Sequence, residues 1–90
     1  VVTRAQRLAV EAANPAALPT LDAMWEQRRR WWMASGPDAE AKAAATATKL
    51  HMELLDMTGL PDLLVSRWER EWDEKFEVEL RGWWGASRGH

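Results

Sequence analysis

Two histidines, a run of three arginines and seven tryptophans are the residues of this chain with the most chemistry to offer. His51 sits among Leu50, Leu54 and Leu55. At helical spacing, Glu53 and Asp56 project into an opposite polar arc, so the three side chains cannot converge on one metal ion from that helix alone. His51 therefore reads as a partly buried histidine. Burial lowers the basicity of an imidazole, and protonation would then be expected to loosen the helices around it. His90 is terminal, and Ser35 and Ser66 have no base near them in sequence. The chain lacks a His-Glu-x-x-His zinc signature, a Gly-x-Ser-x-Gly nucleophile elbow, a glycine-rich phosphate loop and a convergent carboxylate pair. With no cysteine, disulfides, thiolate catalysis and Cys-ligated zinc are excluded. No catalytic, cofactor-binding or metal-binding residue is expected, and neither is enzyme activity.

The tryptophans and arginines point instead to contact chemistry. Seven indoles stand in a chain with no tyrosine and one phenylalanine. Each can bury about 150–250 Å² and usually requires a partner for its N–H. Trp25, Trp32, Trp68 and Trp72 fall at helical spacing on inward faces and are expected in the core. Trp83 and Trp84 are adjacent and flanked by Gly82 and Gly85, so a helix would aim them about 100° apart and cannot bury both. They read as contact anchors, together with the Trp31-Trp32 corner that precedes Ser35-Gly36-Pro37. The consecutive Arg28, Arg29 and Arg30 fan around their helix and cannot share one flat patch. Arg28 lies inside the apolar stripe and is expected to stack on an indole or to pair with a carboxylate of the acidic fourth helix. Arg29 and Arg30 face outward, where Arg4 and Arg7 could join them in contacting nucleic acid. Residues 1–34 hold five arginines against Glu11, Asp22 and Glu26, a local balance of +2 on a chain of net charge −2. That is too little for a protein built mainly to coat nucleic acid.

The elements that must position these residues are helical throughout. At 90 residues, 47% apolar and 29% charged, the chain has the length and composition of one globular domain. Periodicity of 3.6 recurs along it and no strand-like alternation of useful length appears. Thr3 and Gln6 have capping-box spacing and open an accessory helix over 3–13, with Ala5, Leu8, Ala9 and Ala12 on one face. Asn14-Pro15 stops it, and a linker follows to Pro19. Thr20 is expected to cap a helix over 20–34. Pro37 is placed to begin the next, over 38–57, and Gly59 followed by Pro61 closes it. The fourth helix is expected over 62–81, followed by a flexible C-terminal tail over 82–90. Its stripe Leu64, Val65, Trp68, Trp72 and Phe76 faces inward, while the alternating charges of 67–81 face solvent. The third helix carries one apolar strip of Ala43, Ala47, Leu50, Leu54 and Met57. A second strip comprises Ala41, Ala44, Ala45, Thr48, Met52 and Leu55. A helix apolar over most of its circumference is expected between the other two.

The expected fold is thus all-α: a small antiparallel three-helix bundle with a short N-terminal helix and a C-terminal tail. No apolar run is long enough for a membrane span and no signal-peptide core is present, so a cytoplasmic protein is expected. The wealth of alanine, arginine and tryptophan fits a GC-rich bacterial or phage genome. The functional expectation is a non-enzymatic interaction, assembly or adaptor subunit that contacts a protein partner, or its own copy in an oligomer, through Trp31, Trp83, Trp84, Arg29 and Arg30. The competing expectation is a nucleic-acid-binding accessory acting through Arg4, Arg7, Arg29 and Arg30. A carrier of an apolar or cationic ligand between the helices is a third.

Overall fold

Thr3 opens the first helix as the spacing predicts: its hydroxyl accepts from the Gln6 backbone N–H at 3.3 Å, and helix α1 runs Arg4–Ala13. A computed structural model describes residues 2–88, without the side chains of residue 81 and residues 83–88. Asn14 ends α1 in extended conformation and at once starts a short 3-10 turn, Pro15–Ala17, by accepting from the Ala16 N–H at 3.1 Å. The side-chain amide of Asn14 also donates to the Met57 carbonyl at 3.1 Å. One residue therefore caps two elements and ties the linker to the far end of the chain's third helix.

Helix α2 spans Leu18–Met33 and begins before the expected cap at Thr20. Pro19, in the first turn, lacks only an N–H that would have had no helical acceptor. Thr20 instead lies inside the helix with its hydroxyl 3.6 Å from the Met57 sulfur. A tight corner with Gly36 at φ +103° leads into α3, Pro37–Thr58. Gly59, in the left-handed region at φ +68°, closes α3 by donating its N–H to the Leu55 carbonyl at 2.8 Å, the C-cap role its sequence context predicts. Helix α4 then runs Asp62–Arg88. It passes through Gly82 and Gly85, where a tail was expected from residue 82. A glycine costs a formed helix only about 1 kcal/mol relative to alanine, which does not halt propagation once upstream turns exist.

The result is an antiparallel all-α bundle of α2, α3 and α4 with α1 laid against it. Its core comprises Val10, Leu21, Met24, Leu54, Val65, Trp68, Trp72 and Phe76 with Val2 and Ala17. The central helix is α2, which packs along both α3 and α4. The expectation that α3 occupies the middle is overturned. Ala43, Ala47 and Leu54 are buried, whereas Ala41, Ala45, Thr48 and Met52 on the second strip are exposed. Alanine is so strong a helix former that it populates solvent faces as readily as cores, so an alanine strip does not identify a covered face. Helix α1 also turns a different face inward. Val2, Gln6 and Val10 are buried, while Ala5, Leu8 and Ala12 are exposed. Complete burial of Val10 contributes about 1.5–3 kcal/mol. The Gln6 side chain is drawn in because its Oε1 accepts the indole N–H of buried Trp72 at 3.0 Å.

Candidate functional site

Arg28 projects from the middle of α2 toward α4 and meets two carboxylates one turn apart. Its Nε and Nη2 donate to Asp73 Oδ1 and Oδ2, both at 2.7 Å, and its Nη1 donates to Glu69 Oε2 at 2.9 Å. Its guanidinium carbon also lies 5.2 Å from the centre of the Trp31 ring. The two roles anticipated for Arg28, indole contact and pairing with α4, are thus filled together. Burial alone would lower the Arg28 pKa, but Asp73 and then Glu69 outweigh it and hold the pKa above its ordinary value.

The network continues on both sides of this pair. Asp73 Oδ1 also accepts the Trp32 indole N–H at 2.8 Å. The other oxygen of Glu69, Oε1, is bonded to Nδ1 of His51 on α3. His51 Nε2 faces Asp62 Oδ1, at the start of α4, at 2.5 Å. A continuous polar chain thus runs Trp32, Asp73, Arg28, Glu69, His51, Asp62 and joins α2, α3 and α4. The side chain of His51 is 13% exposed and that of Glu69 is 9% exposed, whereas Asp62 is 70% exposed.

This arrangement reverses the expected behaviour of His51. Burial lowers its pKa, but the hydrogen bonds and charges of Asp62 and Glu69 outweigh that effect and raise it above 6.5. Protonation therefore tightens the contact between α3 and α4. An imidazolium can donate from both nitrogens to both carboxylates, and a neutral ring can donate to only one. The two partners come from α4, so no reading of Glu53 and Asp56 along α3 could have identified them. Among the described residues, no group of three or more His, Cys, Asp and Glu side chains is arranged to hold a metal ion.

Trp32, expected in the core and also named with Trp31 as a contact corner, is 38% exposed, and Met33 beside it is 59% exposed. Trp32 lies on the same angular stripe as buried Leu21 and Met24, but in the last turn of α2, where it meets α4 through Asp73 and leaves part of its ring open. Its ring borders two cavities. A polar one of about 380 Å³ lies between Arg28, Trp31, Glu40 and Asp73. A larger groove of about 650 Å³ is lined by Arg29, Trp32 and Met33 on the α2 side and by Phe76, Glu79 and Leu80 on the α4 side.

The other expected contact residues fare unevenly. Trp31 is partly buried beside Arg28. Arg29 is exposed on the groove wall, its guanidinium 5.9 Å from the Trp25 ring. Arg30 is exposed and lies 3.7 Å from Glu26. The rings of Trp83 and Trp84, the remaining expected anchors, lie outside the described residues; their backbone belongs to the α4 turn after Leu80. Arg7 pairs with Asp22 at 2.7 Å. Asp22 precedes Arg29 by two turns of α2, about 10 Å along the helix axis. Trp25 packs edge-on against Phe76, with ring centres 5.1 Å apart.

No family model matches this chain, and no curated protein or solved structure matches it. No described helix is long and apolar enough to cross a membrane.

Proposed function

We propose that this chain is a non-enzymatic protein–protein interaction module that docks a second copy of itself through the groove between the end of α2 and the middle of α4. The observation that carries this reading is the state of Trp32. Its ring is substantially exposed, yet its N–H is held by Asp73, which is itself gripped at both oxygens by Arg28. An aromatic side chain fixed in advance loses little conformational freedom on binding, and tryptophan is among the residue types most enriched at the energetic centres of interfaces.

The charges flanking the groove favour a second copy. Arg29 stands on one wall and Glu79 on the other. In a two-fold interface each residue meets its counterpart's partner, so a patch with a cation on one wall and an anion on the other is self-complementary. The nucleic-acid reading has less support, because Arg7 is paired with Asp22 and Arg30 lies beside Glu26.

Sedimentation across a wide concentration range tests the proposal. The parent chain is expected to associate reversibly to a dimer, and Trp32→Ala to weaken association by about 30-fold, the equivalent of ~2 kcal/mol for a central interface residue. Arg29→Glu alone should weaken it as well, and Arg29→Glu with Glu79→Arg should restore it. A parent chain that stays monomeric at every concentration would overturn the proposal.

A further inference from the structure

The polar chain leading to Trp32 begins at the one described side chain of the network that titrates near neutrality. We propose that His51 is a proton-operated clasp between α3 and α4, and that its opening at Asp62 is transmitted through Glu69 and Arg28 to the Trp32 anchor. This rests on the docking role given to Trp32 above and adds a control to it.

The geometry supplies each step. With a proton on both nitrogens, His51 donates to Asp62 and to Glu69 at once. When one proton leaves, only one carboxylate keeps a donor. Glu69 is nearly enclosed and cannot turn to water, whereas Asp62 is mostly exposed and can. The neutral ring therefore keeps its Nδ1–H on Glu69 and presents the Nε2 lone pair to Asp62, whose carboxylate it repels. Contact between α3 and the first turn of α4 is lost at that point.

The change does not stop there. With His51 protonated, two cations, Arg28 and His51, face three carboxylates, Asp62, Glu69 and Asp73. After deprotonation Arg28 alone offsets Glu69 and the part-buried Asp73, and is drawn more strongly toward Glu69. Every displacement of Arg28 is felt at Asp73, and Asp73 Oδ1 is the acceptor that sets the Trp32 ring. The groups facing His51 from α4 are Asp62 and Glu69, with Arg28 of α2 behind Glu69. Lys49, Glu53 and Asp56 on its own helix are exposed, and Arg7 of α1 is engaged with Asp22.

The experiment is a pH titration followed by two magnetic resonance signals in a sample dilute enough to be monomeric. The His51 Cε1 proton reports the imidazole. A fluorine label on the indoles, with the Trp32 signal assigned by its absence in Trp32→Phe, reports the anchor. The His51 midpoint is expected above 6.5, and the Trp32 signal is expected to shift with the same midpoint. In His51→Gln the Trp32 signal should hold still over that range. Asp62→Asn, a change at an exposed site, should lower the midpoint and carry the Trp32 shift down with it. A His51 midpoint at or below 6.5, or a Trp32 signal indifferent to it, overturns the clasp. Because the sample is monomeric, these results are independent of docking. Unchanged sedimentation of Trp32→Ala would end the docking reading alone, and a motionless Trp32 signal would end the clasp alone.

Discussion

At the scale of single residues, this fold assigns polar side chains to the N–H and charged groups that its tryptophans and helices bring inside. Gln6 shows it most simply. Trp72 is buried, and an indole N–H without an acceptor in such a place costs about 1–3 kcal/mol. Gln6 supplies the acceptor from α1 and is buried with it. Replacing it by an isosteric apolar residue keeps the volume and removes the acceptor. Gln6→Met is therefore expected to lower stability by about 1–3 kcal/mol in urea unfolding, and a loss below ~0.5 kcal/mol would show that the bond contributes little net stability. Trp25 offers the contrast: its Nε1 is buried with no acceptor among the described residues. Arg28 is the denser case, since it serves two carboxylates and a ring at once. Lysine, lacking the planar fork, could not reproduce that set of bonds.

At the scale of elements, the corners and the length of α4 shape the molecule. Among the described residues, the two glycines at positive φ, Gly36 and Gly59, begin and end α3. Gly82 lies within α4, has no such φ, and a methyl group placed on it would meet none of the described atoms within 4 Å. The same substitution should therefore have opposite signs at two positions. Gly59→Ala forces a side chain into the left-handed region and is expected to cost about 1–2 kcal/mol. Gly82→Ala relieves backbone entropy in an exposed helix and is expected to raise helical content, with a gain of up to about 1 kcal/mol. Circular dichroism followed through thermal unfolding measures both. A loss of helix at Gly82→Ala would mean that glycine is required there for a reason other than conformation. Position along the helix also separates Trp32 from the core: in the final turn of α2 it bonds to Asp73 of α4 yet leaves its ring part-exposed, whereas Leu21 and Met24 at similar angles are buried.

At the scale of the whole molecule, the polar chain from Trp32 to Asp62 makes stability depend on pH in a direction opposite to that expected of an isolated buried histidine. His51 has a raised pKa when folded. Its stabilising contribution is therefore complete below about 6.5, the ordinary imidazole value, and is lost as pH rises through the folded value. The urea midpoint of the parent chain is expected to be higher at pH 6 than at pH 9, and His51→Gln should remove most of that difference. A midpoint that rises between those pH values in the parent alone would contradict the paired arrangement of His51. Scattered exposed apolar residues such as Leu8, Met52, Leu63 and Val78 form no comparable site. The groove beside Trp32 combines a fixed ring with opposite charges on its two walls.

Much of this could be read from local pattern, because helix formation is a local event. Periodicity, the Thr3 cap, the Gly59 stop and the proline boundaries located four helices to within a few residues, apart from the far end of α4. The stripe Val65, Trp68, Trp72 and Phe76 was legible because one helix records the direction of its own apolar face. Arg28 was recognisable as the odd cation in such a stripe. What stayed hidden was every fact that needs two elements at known positions along their axes. A helical wheel gives an angle and no height, so it could not show that Trp32 stays part-exposed where it meets Asp73. It could not show that α2 rather than α3 lies in the middle, or that Gln6 turns inward to meet Trp72. The partners of His51, 11 and 18 residues away, come from another helix. Their combined charge outweighs the burial that sequence alone made the dominant effect, because attraction between charges depends on distances that exist only once the chain has folded.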